Sequence, residues 1–426
     1  MTSQEKIQVL AEQGRYDSVG LNTREMLFQS RIKEEKDIWR ESDSFLAKIH
    51  TLGAGGKYDV CASTASSRCG SSSNQIGNTV ASGICHSYTP DGRCVSLFKT
   101  LYTNVCTFDC KYCMNSTCST RRNKVGHYSY TPNELATIFM KLYLRNYVEG
   151  LFLSSGIKGD VDKTMEDLLE SVQILRTKYR FRGYIHLKIL PGASYEHIRQ
   201  AVEWADRVSI NVEAPSASRL SEIAGVKDYR NDILRRQTWI QGLQKQGMLP
   251  AGQTTQFIVG AGNETDLEIL NQLKWEYNHL GLKRGYFSVF DPVAGTPLES
   301  RAAVPHWREH RLYQFDWLMR VYKFDFSELK QVLTEDGLLL NADPKRLLAK
   351  MTLDRPIDIN DGTYNELLKV PGIGPKSASR INRLQETGVK IKSYEQLKRI
   401  GVVLRRASPF IVVNGKFQET LDKWWK

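Results

Sequence analysis

Three cysteines stand close together at Cys106, Cys110 and Cys113 in a C-x3-C-x2-C spacing, and Tyr112 directly precedes the last of them. Three thiolates so close in sequence can hold three corners of a four-iron cluster and leave the fourth iron without a protein ligand. A small molecule can bind and react at such an open iron. The spacing therefore predicts an iron-sulfur centre that takes part in a reaction, with the aromatic ring of Tyr112 beside it.

The alternative for these thiols is a structural zinc site with Cys118 as the fourth ligand. Structural zinc sites usually pair two C-x2-C halves across an intervening segment. Here the first gap is three residues long and no second half follows downstream. The spacing favours the cluster.

Composition sets the broad class of the protein. At 426 residues and 41% hydrophobic content, the chain is expected to form two or three globular domains. The polar N-terminus and the lack of a run of about 18 apolar residues predict a cytoplasmic protein without a membrane span. In a reducing compartment, its eight cysteines favour metal or cluster ligation over disulfides.

The positive charge is concentrated near the end of the sequence. The formal net charge is +12, and the segment Lys369 to Lys426 contains 13 Lys and Arg against 4 Asp and Glu. An excess of this kind predicts an anionic partner, such as nucleic acid, for the C-terminal part.

After Val95, short apolar runs alternate with helical stretches, which predicts repeated β/α units around a parallel sheet. The predicted strands are 95–101, 150–153, 183–189, 207–212, 254–259 and 285–290. The predicted helices lie near 132–147, 163–178, 195–205, 229–246 and 264–279. Six strands are too few for a closed eight-stranded barrel, and their alternation with helices predicts an α/β fold.

Active sites of β/α barrels lie at the C-terminal ends of the strands, so residues near these ends are the candidates for binding. Several are polar or glycine, and Asn211 and Glu213 share one face of their strand. For Glu213, a role as structural partner of Lys188 or of a nearby arginine stays open, and the glycines after the fifth strand could form a simple turn. The candidates are Ser154, Ser155, Gly156, Lys188, Asn211, Glu213, Gly260 and Gly262.

A second motif lies in the basic C-terminal part, where Val370 to Ala378 reads Val-Pro-Gly-Ile-Gly-Pro-Lys-Ser-Ala. Its glycines allow a tight hairpin that exposes backbone N–H groups at the start of a helix, where the helix dipole favours a phosphate. The predicted nucleic-acid contacts are Pro371, Gly372, Ile373, Gly374, Lys376 and Arg380, with Arg383 adding charge. The alternatives are a glycine turn that touches only protein, and a second, degenerate copy at Leu397 to Ala407.

Four further cysteines lie outside the three-cysteine motif, at Cys61, Cys69, Cys85 and Cys94. Their number predicts an auxiliary iron-sulfur cluster, in which His86 could replace one ligand, but their gaps are irregular. The alternative is a set of ordinary thiols.

The three-cysteine spacing, Tyr112 and the order of the surrounding segments resemble the radical S-adenosylmethionine (SAM) superfamily. The resemblance implies a partial (β/α)6 barrel and two cofactors, a [4Fe-4S] cluster and SAM, which is cleaved reductively to a 5′-deoxyadenosyl radical. It assigns Ser154–Gly156 to the amino group of SAM, although the usual glutamate is absent there. It assigns Asn211 and Glu213 to the ribose, and Gly260 and Gly262 to the adenine.

A radical SAM core followed by a helix-hairpin-helix, together with the runs Lys57–Cys61 and Gly83–Cys94, resembles the DNA modification/repair radical SAM proteins. The resemblance implies an N-terminal helical and Cys/Gly/Ser-rich extension at 1–94, the barrel at 95–300, a helical connector at 301–340 and an all-α helix-hairpin-helix domain at 341–426.

The function that follows is a radical SAM enzyme acting on nucleic acid, in DNA modification or repair, with an electron donor such as flavodoxin or ferredoxin as partner. Two alternatives remain. One is an enzyme that modifies RNA or tRNA, and the other is a nucleic-acid-binding protein whose cluster is structural or senses redox state.

Overall fold

The structure is a computed structural model that describes residues 48–49, 51–53, 84–88, 94–122 and 126–417. Most of the predicted N-terminal extension, including Cys61 and Cys69, lies outside these residues, as does the end of the basic segment.

One sheet of seven strands runs through the first part of the chain in the order β1 to β7. β1 pairs with β2 in the antiparallel direction, and β2 to β6 pair in parallel, each with its successor. The strands are β1 Ile84–Tyr88, β2 Cys94–Leu101, β3 Gly150–Ser154, β4 Tyr184–Lys188, β5 Arg207–Ser209, β6 Gln253–Val259 and β7 Arg284–Val289. With β1 set aside, the sheet is a parallel half-barrel of six strands.

Helices connect the parallel strands, and those after β2 to β5 pack against one another. They are α1 Pro132–Leu144, α2 Val161–Thr177, α3 Tyr195–Trp204, α4 Ala217–Ile223, α5 Arg235–Lys245 and α6 Asp266–Leu280, with a π-helical turn at Tyr229–Leu234. Local sequence explains where they begin. Thr131 and Glu134 form a capping box for α1, and the side chains of Asp160 and Ser194 cap α2 and α3.

The six predicted strands are all present, and two details differ from the expectation. Ile84–Tyr88 form an additional strand that precedes the first predicted one, because their backbone pairs with β2. β5 ends at Ser209 instead of Val212, and Glu213 rejoins the sheet only through a single bridge to Phe257.

The chain divides into two compact units. The first unit comprises residues 1–257, 276–286 and 292–301, and the second comprises 258–275, 287–291 and 302–426. In the first unit, alternate strand residues such as Leu151, Leu153, Ile185 and Leu187 are fully buried. Parallel sheets of α/β proteins bury strand residues in this way because helices cover the sheet.

The second unit has its own apolar core, centred on buried residues such as Ile373, Ala378, Ile381 and Leu397. Its elements are α7 His306–Arg320, α8 Phe326–Leu329, α9 Pro344–Thr352, β8 Ile357–Asp358, α10 Tyr364–Lys369, α11 Pro375–Glu386, α12 Tyr394–Arg399, α13 Leu404–Ala407, β9 Ile411–Val413 and β10 Lys416–Phe417. The prediction that residues 341–426 are all-α is wrong, because β8, β9 and β10 form a small sheet.

Candidate active site at the strand ends

The three cysteines of the motif lie in the loop between β2 and α1, in the first unit. Cys110 is buried, and Cys106 and Cys113 are partly exposed. The loop is held by backbone hydrogen bonds, in which Thr107 N donates to Ile157 O at 2.9 Å and Lys111 N donates to Ile223 O at 2.8 Å. The sequence after β3 and the end of α4 thus position the thiols.

The environment of the thiols favours their neutral form in the absence of metal. Burial raises the pKa of Cys110 to about 11 and that of Cys113 to about 12. The neighbouring thiols add to both shifts, whereas the Lys227 ammonium opposes them. Ligation of iron would replace these protons, because the thiolate is the metal ligand.

The three thiols of the motif lie close enough together to influence one another electrostatically. Within the described residues all four cysteines of the loop, including Cys118, are free of disulfides. In the same residues no three or more His, Cys, Asp or Glu side chains converge on one metal ion. A [4Fe-4S] cluster does not need such convergence, because each thiolate binds a different iron.

The segment Ser154–Gly156 packs against residues 103–105, which lead into the cysteine loop. Gly156 N donates to Thr103 O at 2.8 Å, and a Cβ at Gly156 would lie 2.4 Å from Val105 O, so only glycine fits this approach. The Ser155 hydroxyl is buried and has no hydrogen-bond partner in the described residues. This hydroxyl fits the sequence-based assignment of the segment to the SAM amino group, in the place of the missing glutamate.

A buried ion pair lies beside Cys110. Lys227 Nζ donates to both carboxylate oxygens of Glu213, at 2.7 and 2.9 Å, and less than a tenth of either side chain is exposed. Burial alone would lower the pKa of Lys227, but the Cys110 thiolate and the Glu213 carboxylate outweigh it and raise the pKa. Burial, together with Cys110 and Glu213, raises the pKa of the Tyr112 phenol.

The structural partner of Glu213 is therefore Lys227, and not Lys188 or an arginine as the sequence indicated. Glu213 has the positive φ of 62°, which is uncommon for a residue with a side chain. Its backbone N donates to Gln256 O at 2.9 Å, which holds the residue at the end of the fourth parallel strand. Asn211, two residues earlier, is partly exposed.

Gly260 and Gly262 lie in the second unit, in the turn between β6 and α6. Gly260 has a φ of 82°, and its N–H donates to the Glu264 carboxylate. Burial raises the pKa of Glu264, while the N–H groups of the turn oppose that shift. These glycines form a strand-to-helix turn, and their assignment to the adenine of SAM stays a prediction.

The predicted nucleic-acid contacts lie around the turn that joins α10 to α11. Pro371 and Ile373 are buried, Gly372 and Gly374 are partly exposed, and Lys376 and Arg380 are exposed. Arg380 Nη1 also donates to Ile400 O at 3.1 Å. A cleft of about 380 Å³ runs along α11 and is lined by Pro375, Lys376, Ser379, Arg380 and Arg383.

The auxiliary-cluster cysteines are described only in part. Cys85 and Cys94 belong to the paired strands β1 and β2, where the backbone of Cys85 faces Leu97 and that of Cys94 faces Tyr88. The structure describes the backbone of these two residues and leaves the auxiliary cluster a prediction.

Sequence reasoning missed Lys227 as the partner of Glu213, and it missed Lys99 and Arg207 on the inner strands. Lys227 follows α4 in a loop with no motif of its own, so only the folded chain brings it to Glu213. Lys99 lies in a run that reads as an ordinary buried strand. A charged residue within an otherwise apolar strand was the one available signal.

Comparison with known proteins identifies part of the chain. Residues 100–275 match the sequence model of the Radical SAM superfamily. No curated protein matches the chain.

Several solved structures are similar to it. Methylornithine synthase (PylB) has a TM-score of 0.38 at 15% identity, over 47% of this chain and 54% of that one. The FeFe-hydrogenase maturase HydG from Carboxydothermus hydrogenoformans has a TM-score of 0.39 at 12% identity, over 50% and 48%. The radical SAM methyltransferase TsrM from Kitasatospora setae, with cobalamin and a [4Fe-4S] cluster bound, has a TM-score of 0.36 at 11% identity, over 47% and 38%.

The chain spans about half the length of the first two of these structures. The family match covers the cysteine loop and the strands that surround it. Residues 100–275 of the chain therefore match a radical SAM domain. Proteins of this superfamily use a [4Fe-4S] cluster and SAM and need a reductant, and the matched residues include the three-cysteine loop. Among the described residues, no helix has the length and apolar character needed to cross a membrane.

Proposed function

We propose that this radical SAM enzyme acts on nucleic acid, in modification or repair of DNA, and that residues 341–426 hold the substrate backbone through a helix-hairpin-helix. Cys106, Cys110 and Cys113 would carry the cluster, with Tyr112 beside them. The cysteine content and the need for a low-potential electron donor, such as flavodoxin or ferredoxin, fit a cytoplasmic enzyme.

The start of α11 is the first support for this proposal. Its N-cap residue, Gly374, makes no side-chain capping hydrogen bond, and Pro375 follows at the first helical position. Uncapped N–H groups and the positive end of the helix dipole together attract phosphate. Lys376, Arg380 and Arg383 line the adjacent cleft and add positive charge. Such contacts position a protein on a nucleic-acid backbone without reading its sequence.

The turn itself is built for glycine. Gly372 has a φ of 89°, and a Cβ there would lie 2.5 Å from the carbonyl oxygen of Val403. Val403 N donates to Gly372 O at 2.9 Å, so the first turn packs directly on the segment between α12 and α13. A side chain at position 372 would both strain the backbone and separate these two segments.

The segment between α12 and α13 supports the degenerate second copy. Gly401 has a φ of 93°, close to that of Gly372. Ile373 and Val402, which follow the two glycines, are both buried, and Ala378 and Ala407 are fully buried five residues further on. Two turns with matching positive-φ glycines and matching buried positions are what a duplicated hairpin requires.

The reaction would begin with reductive cleavage of SAM to a 5′-deoxyadenosyl radical, which is the chemistry that the cluster and SAM supply when bound. The chain positions the target and excludes water. A base within a duplex cannot reach the carboxyl end of a half-barrel, so the target nucleotide must be single-stranded or flipped out, at a cost of a few kcal/mol. Damaged nucleotides flip more easily, which favours repair.

The basic cleft along α11 carries the proposal, and a product assay tests it. Anaerobically reduced, cluster-loaded enzyme is incubated with SAM alone, with single-stranded DNA, with duplex DNA or with RNA, and 5′-deoxyadenosine is quantified. We expect the highest yield with DNA. Stimulation by RNA alone would replace DNA with the RNA alternative, and equal yields under all conditions would overturn a nucleic-acid substrate.

The contribution of the cleft is tested by removing its charge. K376A/R380A should lose most of the DNA stimulation and keep the yield obtained without DNA. K163A/R199A is the matched control, because it removes the same charge from exposed helix positions in the first unit. If both double variants respond to DNA like the unmodified enzyme, α11 does not hold the substrate.

A further inference from the structure

The inner face of the half-barrel carries a group of buried cations. Strand register places Lys99 opposite Phe152, Phe152 opposite His186, and His186 opposite Arg207, so these four side chains form one row on one face of the sheet. Thr100, which neighbours Lys99, points to the other face and interacts with Tyr130 just before α1. The row therefore lies on the face opposite the helices.

Lys99 is the unusual member of this row. Only 3% of the residue is exposed, and its ammonium makes no hydrogen bond within the described residues. Its Nζ lies over the face of the Phe152 ring, 5.5 Å from the ring centroid. A buried cation without an acceptor is costly, and proteins keep such groups where a ligand completes them.

The other polar groups around Lys99 are cationic or neutral. His186 is buried and shares a hydrogen bond of 2.9 Å with the Ser209 hydroxyl, and its ring lies edge-on to Phe152. Burial lowers the pKa of His186, and Arg207, Lys188 and Lys99 lower it further, which shows that the three cations lie near this ring. The Nε of Arg207 is also buried and makes no hydrogen bond.

The next row of side chains, towards the carboxyl ends of the strands, also contains a cation and neutral polar groups. Lys188 and Ser209 face each other there, Thr254 follows on β6, and the Thr254 hydroxyl is buried without a partner. None of the side chains named in the two rows is acidic. At about 3.3 Å per strand residue, the Lys99 row lies about 7 Å below this one. A group bound at Lys99 would thus sit inside the half-barrel, below the ends of the strands from which the cysteine loop departs.

We propose that Lys99, His186, Lys188 and Arg207 form a subsite for an oxyanion of the substrate, a phosphate or a carboxylate. The anion accepts hydrogen bonds from Lys99 and compensates the charge of its ammonium. This subsite would fix the substrate by a charged group and leave a neutral carbon exposed towards the cofactors. The inference does not depend on nucleic acid, because a phosphate or carboxylate of any substrate would satisfy it.

Calorimetric titration of the full-length, cluster-loaded protein tests this subsite. Saturating SAM is present throughout, so that the carboxylate of SAM is not the anion measured. Inorganic phosphate and acetate are titrated separately, and K376A/R380A serves as the background to remove phosphate binding at α11. We expect at least one of the two anions to bind. If only phosphate binds, the subsite takes a phosphate group, and if only acetate binds, it takes a carboxylate.

The variants locate the binding. K99M and K188M should each weaken the affinity at least tenfold, K99R should retain most of it, and K163M is the control on an exposed helix. Absence of binding by both anions, or equal affinity in K99M and the parent protein, would overturn the proposal. If K99M does not fold, K188M and K99R decide the outcome. Failure of DNA to stimulate SAM cleavage would leave this titration unaffected, so the two proposals fail separately.

Discussion

Two regions of the half-barrel treat a buried lysine in opposite ways. Beside Cys110, Lys227 has a carboxylate partner in Glu213 and a thiol neighbour, and no part of its charge is left uncompensated. On the inner strand face, Lys99 is as deeply buried, but its ammonium lies over the Phe152 ring and makes no hydrogen bond within the described residues. The first arrangement is complete as it stands, whereas the second needs a ligand.

The difference indicates how to separate structural from binding roles in this fold. A buried ion pair that is already satisfied holds chain segments together and shapes the field around the cluster ligands. A buried cation that is unsatisfied lowers stability and is retained because it binds something. The two lysines should therefore respond to the same substitution with effects of opposite sign on the free energy of unfolding.

The largest effect is expected at Lys227. K227M leaves the Glu213 carboxylate buried without a partner, which should lower the free energy of unfolding by about 3–5 kcal/mol. Urea unfolding followed by circular dichroism measures this change. The double variant E213Q/K227M should recover a large part of the loss, because it removes the uncompensated charge. A loss below about 1 kcal/mol in K227M would mean that the pair is not satisfied as described.

Lys345 in the second unit is intermediate between Lys227 and Lys99, because its acceptor is a backbone carbonyl and not a carboxylate. Its Nζ donates to Ile373 O at 2.5 Å, below the first glycine turn, and lies 4.6 Å from the centre of the Tyr322 ring. Burial lowers its pKa to about 7, against the influence of Asp343 and with that of Arg406.

This shift predicts a pH dependence of stability. Between pH 7 and pH 10 the unfolded chain keeps the Lys345 proton that the folded chain has lost, so stability should rise with pH, by up to about 2–3 kcal/mol between pH 7 and pH 9. Below pH 7 both states are protonated and this contribution is flat. Urea unfolding of the parent protein and of K345M across this range measures the difference, which should be absent if Lys345 titrates normally.

At Lys99 the sign should reverse. K99M removes an ammonium without an acceptor and keeps the apolar stem, so the free energy of unfolding should rise by about 1–2 kcal/mol. The same urea titration as for K227M gives the comparison directly. A loss of stability in K99M would show that its contact with Phe152 is structural and would remove the distinction between the two lysines.

The smallest effect on stability is expected where cations are exposed. Lys376 and Arg380 are exposed, and Arg380 Nη1 donates one hydrogen bond to Ile400 O, so K376A/R380A should change the free energy of unfolding by at most about 1 kcal/mol. Its effect should appear in DNA affinity, where each lost phosphate contact reduces the slope of log K against log salt by about 0.9. Fluorescence anisotropy at several salt concentrations measures that slope, and an unchanged slope would mean that these residues do not contact phosphate.

The sequence predicted the half-barrel well because its signal is periodic. Apolar runs such as 150–153 alternate with long amphipathic stretches, and burial of both sheet faces enforces that pattern. It failed at Ile84–Tyr88, because the turn residues around this strand outweigh its own short apolar content, and pairing with β2 is a tertiary effect.

In the candidate site, too, some residues could be predicted from the sequence and others could not. Cys106, Cys110 and Cys113 are close in sequence and were identified by spacing alone. Lys227 pairs with Glu213 from a loop fourteen positions away, and Lys99 and His186 meet only through strand register. Contacts that the fold creates between distant positions leave no local pattern, so the sequence could not indicate them.

The proposal that the enzyme acts on nucleic acid can be tested by the origin of the hydrogen atom that the deoxyadenosyl group takes up. Reduced, cluster-loaded enzyme is incubated with SAM and single-stranded DNA deuterated at carbon, and 5′-deoxyadenosine and recovered SAM are examined by mass spectrometry. We expect one deuterium atom in one of these products, and none when the C110A variant is used. If 5′-deoxyadenosine is abundant but contains no deuterium from DNA, and deuterated RNA transfers none either, the enzyme does not act on nucleic acid.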